Sequence, residues 1–526
     1  MTHYRITFKP DNKQELIHEG ANLLEAAGQA GIILNTACGG TGYCGKCGVL
    51  IDDAKEVLAC QYEIKSDVTV TVPQQSRFYE AKILTSGIEP KQGGVPDIYK
   101  KYEEIAGQKQ ILGAAIDIGT TTVVVKLVDM RTAEPAATEA TMNPQARFGD
   151  DVISRISYAN TESKRAELNR LIIDCLNNLI GQACQKAKVK AADIYEAAVV
   201  GNTTMNHLFL NLPVEGLGRS PYKPYSSEGK DVPAGKLGIG INPEGNVHTV
   251  ELIAGFVGAD TVGAAIACGI ADSDKETILV DIGTNGEVVM GKKGKLLSAS
   301  CAAGPAFEGA KISCGSRAVK GAIQAVVKKE GDIDVDVIGG CSAKFICGSG
   351  LLDAVAVMLE LGVIDSTGKF SKSPKAGQKI LSRIIEYEGE PAFILAKDAE
   401  RMVVITQRDI RQFQLAKAAI RAGIKILQQK LGIGDEDIEQ VLLAGAFGNF
   451  LRPTSALRTG VLPNVEIEKI KFIGNAALSG AEMVLLNSRW RKRAKQLAKK
   501  IKYIELAGDK DFQQVFAQSM SLANNI

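Results

Sequence analysis

The hydrophobic pattern changes period several times along the chain. Tyr4-Arg5-Ile6-Thr7-Phe8 alternates apolar and polar positions, and so does Gln14-Glu15-Leu16-Ile17-His18, which predicts a strand and its hairpin partner. Asn22 to Ala30 sets Leu23, Leu24 and Ala27 at helical spacing. Gly48-Val49-Leu50-Ile51, Glu56-Val57-Leu58-Ala59 and Val68-Thr69-Val70-Thr71-Val72 read as three more short strands. Residues 76–110, with Gln, Lys and Gly and with Pro90 and Pro96, read as a linker carrying a short helical piece near Tyr99 to Ile105. An apolar strand then runs into Asp117-Ile118-Gly119-Thr120-Thr121-Thr122 and out along Val123 to Val128. The same figure returns at Ile278-Leu279-Val280, Asp281-Ile282-Gly283-Thr284-Asn285-Gly286-Glu287 and Val288-Val289-Met290, an internal repeat.

Composition narrows the class without naming it. A chain of 526 residues exceeds one hydrophobic core. Its net charge of +2 argues against a general nucleic-acid or membrane-surface binder. No window of eighteen unbroken apolar residues is present, and Met1-Thr2-His3-Tyr4-Arg5 lacks a signal-peptide pattern, so no membrane role and a cytoplasmic location are expected. The eleven cysteines fit that setting, since an odd total argues against a disulfide framework.

Four of those cysteines are clustered. Cys38, Cys44 and Cys47 follow the spacing C-x5-C-x2-C in a glycine-rich loop, and Cys60 arrives after a strand. Iron–sulfur clusters of the ferredoxin kind use such a loop with one distal thiol, whereas structural zinc sites usually read as two C-x2-C pairs. The pattern therefore favours a [2Fe–2S] cluster over zinc. Gly40-x4-Gly45-Lys46 imitates a phosphate-binding P-loop, but Cys47 stands where Ser or Thr is required, and that reading fails. The strand order around the thiols resembles the plant- and hydrogenase-type [2Fe–2S] ferredoxin domain, an α+β ferredoxin-like (β-grasp) fold over residues 1–75.

The repeated hairpins carry different chemistry. Gly and Thr in a tight turn offer N–H groups and hydroxyls to a polyphosphate, and each Asp can hold a metal's water shell or orient a water. The pair resembles the two phosphate loops of the superfamily of acetate and sugar kinases, Hsp70 chaperones and actin, an α/β two-lobed (ribonuclease H-like) ATPase domain here placed at residues 111–526. That resemblance implies ATP and Mg²⁺. It implies that Asp117 and Asp281 organise the metal while Asp260 orients the attacking water. Gly119, Thr120, Thr121, Thr122, Gly283, Thr284 and Asn285 would hold phosphates. The stretch Ala259 to Gly269 resembles the first connecting helix and Asn475 to Ala481 the second, their small residues permitting a close crossing. Gly445, Gly448 and Asn449 fall in what resembles the adenosine loop, after the strand Val441 to Ala444.

Further landmarks point to one branch. Asn143-Pro144-Gln145 and Gly149 to Ile156 precede a long helix at about Ser163 to Lys188, and Asn202 and Thr203 follow the strand Ala197 to Val200. Two further Gly/Ser loops hold Gly304 with Glu308, and Gly348. With the N-terminal cysteine domain, the set resembles the ATP-dependent reductive activators of corrinoid proteins. The resemblance implies one-electron reduction of Co(II) to Co(I) on a corrinoid (cobalamin-binding) partner, fed by an unknown low-potential electron donor. It also implies a homodimer, although longer members place an extra domain between linker and ATPase where this chain has only the linker. Three other readings compete: a small-molecule kinase with a redox sensor, an activator of radical dehydratases, and a redox-sensing chaperone-like ATPase. Near the end, Arg489 to Lys502 holds eight Lys/Arg and no acid, either a solvated helix face or a docking surface for an acidic partner.

Overall fold

The computed structural model describes residues 3–18, 20–30, 32, 34, 47–73, 76, 94–107, 109–283, 285–371, 377–399, 401–445 and 451–522. The first sheet has five strands: β1 (His3–Lys9), β2 (Lys13–His18), β3 (Gly48–Ile51), β4 (Lys55–Leu58) and β5 (Val68–Thr71), in the order β2-β1-β5-β3-β4. β1 and β5 run parallel and the other pairs antiparallel. The alternation read from the sequence sends Ile6, Phe8, Val49 and Val70 inward, where they meet Leu23 and Ala27 of the helix Leu23–Gln29.

Two six-stranded sheets follow, and they repeat one plan. In the first lobe β6 (Leu112–Ile118), β7 (Thr122–Asp129) and β8 (Pro135–Met142) form an antiparallel meander. β9 (Ile194–Gly201) lies parallel to β6, β10 (Lys230–Pro233) and β11 (Asn246–Thr249) complete the edge, and the order is β10-β11-β9-β6-β7-β8. β9 is buried at all eight positions, as expected of a parallel strand covered on both faces. One of those covers is the helix Glu162–Ala187, started by Thr161, whose hydroxyl accepts from the Lys164 amide.

The second lobe begins with the meander β12 (Thr277–Ile282), β13 (Gly286–Lys292) and β14 (Lys295–Cys301). Two three-stranded sheets are inserted next: β15 (Ala322–Lys329), β16 (Asp332–Val337) and β17 (Phe345–Ile346), then β18 (Ile384–Tyr387), β19 (Glu390–Lys397) and β20 (Met402–Thr406). β21 (Gln440–Ala444), β22 (Ile470–Gly474) and β23 (Lys502–Tyr503) return to the main sheet, giving β22-β21-β12-β13-β14-β23. Without their outermost strands β10 and β23, the two large sheets have matching order and direction.

The lobes meet through two helices, Ala259–Cys268 and Ala476–Leu486. A Cβ on Gly480 would overlap the Gly263 backbone, and one on Gly263 would lie 2.9 Å from the Ala477 carbonyl. Only glycine at both positions lets the helices cross this closely. Their core takes in Ala115 and Val124 from the first sheet and Leu279 and Val289 from the second. Part of the expected linker belongs here too. Ile98, Tyr102 and Ala106 are buried in this same core, and the Asp97 amide donates to the Leu486 carbonyl. No helix among the described residues is long and apolar enough to cross a membrane.

Candidate functional site

The site is built where the two repeated hairpins face one another. Asp117 is the penultimate residue of β6 and Asp281 of β12, in matching places of the two sheets. Asp260 stands in the first turn of the helix Ala259–Cys268, and its Oδ1 accepts from the Thr261 amide at 2.7 Å. Glu287 on β13 is paired directly across from Asp281, so both side chains leave the same face of the sheet. Burial raises the Asp117 and Asp281 carboxyls to about 7 and that of Asp260 to about 6. Repulsion from Asp260 adds to both of the first two, and burial with Asp260 and Asp281 pushes Glu287 well above the carboxylate range. Acids gathered from two sheets and a helix repel one another until a cation joins them. Among the described residues no three of these acids converge closely enough to ligate a metal directly, so the set fits Mg²⁺ held through its own waters together with a polyphosphate.

Two neighbours tune this cluster. Asn475, the N-cap of the helix Ala476–Leu486, donates from Nδ2 to Asp117 Oδ2 at 2.9 Å and pulls its carboxyl back down. Gly445 follows β21, which runs beside β12, and a Cβ there would overlap Asp281 Oδ1. Its φ of +80° lies in the left-handed region that glycine alone enters freely.

The first turn is braced from outside the hairpin. The Gly119 amide donates to the Thr122 carbonyl at 2.8 Å to close it. Asn143 donates from Nδ2 to the Gly119 carbonyl at 2.8 Å, and the fully buried Arg155 donates from Nη2 to the Thr120 carbonyl at 2.5 Å. Asn202 donates from Nδ2 to Thr120 Oγ1 at 2.8 Å while its Oδ1 caps the helix Thr203–Phe209. Thr203 turns away, giving its hydroxyl to the Ala254 carbonyl. Thr121 Oγ1 makes a long 3.4 Å contact with Glu308 Oε1, beyond the Gly304 turn of the second lobe. In the second hairpin the Gly283 amide donates to the Asn285 carbonyl at 3.0 Å. Gly348 starts the helix Gly348–Glu360, and its neighbour Ser349 donates to the Gln324 carbonyl of β15. Thr284, Gly448 and Asn449 lie outside the described residues.

The sequence places Glu287, Asn475, Asn143 and Arg155 inside its motifs without pointing to a site role for any of them. Glu287 was legible: residues equidistant from a tight turn fall opposite each other, and Asp281 and Glu287 are each three from Thr284. For the other three, only tertiary packing decides what the side chain reaches.

In the first domain, the β3–β4 register pairs Gly48 with Leu58 and so brings Cys47 beside Cys60. Both thiols are buried, with Sγ atoms 3.4 Å apart, and the Ala59 amide donates to the Cys47 carbonyl. Two buried thiols at that separation with no disulfide between them suit a shared metal, so the pair fits half of a four-thiolate cluster site. Cys38 and Cys44 lie outside the described residues.

A cysteine-bearing ferredoxin-like sheet followed by two like-ordered sheets hinged over a carboxylate cluster defines a two-lobed actin/Hsp70-like ATPase fused to an iron–sulfur domain. Residues 6–65 match the 2Fe-2S iron-sulfur cluster binding domain, residues 112–273 the RACo middle region, and residues 275–526 the C-terminal domain of RACo, the ASKHA domain. The chain is 31% identical over 567 aligned positions to the corrinoid activation enzyme RamQ of Eubacterium limosum, covering 94% of this chain and 95% of that one. It is 26% identical to the [Co(II) methylated amine-specific corrinoid protein] reductase of Methanosarcina barkeri, over 74% of this chain and 72% of that one. A solved structure titled reductive activator for corrinoid, iron-sulfur protein superposes with a TM-score of 0.70 at 32% identity, covering 99% of this chain and 98% of that one. The chain belongs to the RACo family of reductive activators of corrinoid proteins.

Proposed function

We propose that this chain couples ATP hydrolysis to the one-electron reduction of a Co(II) corrinoid, held on a partner protein, to Co(I). The observation that carries the proposal is one chain holding both a buried ferredoxin-type thiol pair and a carboxylate cluster at a hinge. Bound in these sites, a [2Fe–2S] cluster supplies single electrons near roughly −400 mV, and Mg²⁺–ATP supplies the driving reaction.

The remaining work falls to the chain's own residues. Asp117 and Asp281 would hold the metal and its waters from opposite lobes, with Glu287 facing Asp281 across the strand pair. Asp260, on the hinge helix between them, orients the attacking water. Thr120, Thr121, Thr122, Thr284 and Asn285, with the turn glycines Gly119 and Gly283, hold phosphates. Gly304, Glu308 and Gly348 of the second lobe, with Asn202 and the backbone of Thr203 at the start of its helix, would complete the nucleotide cradle, and Gly445, Gly448 and Asn449 would line its adenosine end. Cys38 and Cys44 join Cys47 and Cys60 around the cluster. Lobe closure would bring the two aspartates toward the metal's waters, and the close helix crossing at Gly263 and Gly480 would serve as its pivot. Nucleotide state drives an uphill reduction only if it changes affinity for the partner's states, which requires such a movement.

The same reading includes a low-potential electron donor, a homodimer and a cytoplasmic location. Unpaired thiols such as Cys175, Cys184 and Cys301 accord with a reducing compartment. The test is reduction of purified Co(II) corrinoid proteins with and without ATP, followed by absorbance. Reduction that requires ATP is the expected result; equal rates without ATP overturn the proposal.

A further inference from the structure

The helix Ser488–Lys500 lies across the hinge. Trp490, Ala494 and Leu497 point inward, into the core shared by the two connecting helices. At its start, Asp97 accepts from the Ser488 amide at 2.7 Å and from its hydroxyl at 2.6 Å, and Asn487 Nδ2 donates to the Val95 carbonyl at 2.7 Å. These bonds fasten the helix to the segment that leads in from the cysteine domain. Arg491 pairs at 2.9 Å with Glu196, fully buried on β9 of the first lobe, and Glu196 also accepts from Tyr102 of that incoming segment. Just past the helix, β23 pairs with β14 of the second lobe. This helix and the strand that follows it therefore join the hinge, both lobes and the segment that leads in from the cysteine domain.

Its cations divide into two groups. Arg491 and Arg493 are engaged by Glu196, Asp231 and Asp272. Arg489, Lys492, Lys495, Lys499, Lys500 and Lys502 are exposed, and none forms an ion pair among the described residues. Spacings of three and four from Arg489 to Lys499 align them as a stripe opposite the buried side of the helix. Arg489 stacks over the Trp490 ring and Lys495 feels the Glu251 carboxyl, but like charges at that spacing repel, and an anionic surface laid on the stripe relieves that repulsion.

We propose that this stripe docks an acidic face of the corrinoid protein, an inference that rests on the function proposed above. The position selects the partner. A donor that recharges the cysteine domain can do so in any nucleotide state. The corrinoid protein must be bound differently before and after hydrolysis, and a helix seated on the hinge and continuing into the second lobe is a surface that would move with closure.

The test uses the full-length protein with its cluster and a triple variant, Lys492→Glu, Lys495→Glu and Lys499→Glu, all exposed positions. Unaltered cluster absorbance and nucleotide affinity verify its fold. The KM for the Co(II) corrinoid protein is expected to rise about tenfold or more with kcat at saturation unchanged, and its salt dependence to flatten. Equilibrium binding of the corrinoid protein without reductant is expected to weaken in parallel, and it reads docking even if reduction itself fails. Unchanged binding and salt dependence overturn the proposal. A rise confined to the KM of the electron donor, or protection of the stripe by an RNA oligonucleotide but not by the corrinoid protein, overturns it as well.

Discussion

The two hairpins begin with the same four residues, Asp-Ile-Gly-Thr, and occupy equivalent places in two sheets of matching order. Their surroundings differ. The first turn is held by side chains arriving from elsewhere: Asn143, Arg155 and Asn202 on its carbonyls and hydroxyl, and Asn475 on its aspartate. The second aspartate is set among other acids, with Glu287 opposite it on the neighbouring strand and repulsion from both Asp260 and Asp117. One copy is a braced turn and the other a gathering of buried acids. A duplicated motif thus reproduces the strand–turn–strand, while the rest of the chain decides what each copy does.

The sharpest way to break this comparison is to remove each charge. Asp117→Asn and Asp281→Asn are each expected to lower ATP-dependent activation by about 100-fold or more, with the cluster's visible spectrum intact. Activation retained in either variant removes that aspartate from the site. The two should differ without nucleotide: Asp281→Asn relieves repulsion from Asp260 and Asp117 without deleting a hydrogen bond from Asn475, so its melting temperature at pH 8 is expected to exceed that of the parent protein.

Asn475→Ala probes the bracing of the first aspartate, with an expected loss of about tenfold in nucleotide affinity for one hydrogen bond to a charged group. It should also move a pH profile. The Asp117 carboxyl is raised to about 7 and the Asn475 amide holds it from rising further. Metal binding needs the carboxylate, so Mg²⁺–nucleotide affinity falls as pH drops through about 7, and in Asn475→Ala that fall begins at higher pH. Titration of the dissociation constant between pH 6 and 9 checks both. The same raised groups make the metal-free protein lose stability as pH climbs from about 4 to about 7. Over that range the unfolded carboxylates have released protons that the folded chain retains.

The smallest effect is expected from Asn202→Ala, which deletes a neutral hydrogen bond to Thr120. A loss of about 1 kcal/mol corresponds to roughly fivefold weaker nucleotide binding with kcat unchanged. A loss as large as that of Asp117→Asn would show that Asn202 contacts the reacting groups itself.

Local residues were enough to reveal much of this protein. Strand periodicity, the spacing of Cys38, Cys44, Cys47 and Cys60, and the repeated Asp-Ile-Gly-Thr turns act over a few residues, where backbone geometry and side-chain period dictate the outcome. Even the pairing of Glu287 with Asp281 follows from counting out from a turn. The bonds from Asn475 to Asp117, 358 residues away in sequence, and from Arg155 to Thr120 follow from no such count. Nor does the docking of Asp97 and Tyr102 of the expected linker onto the hinge. These contacts depend on how two sheets and two crossing helices close on one another. A buried polar side chain finds its partner only once the fold has excluded water around it.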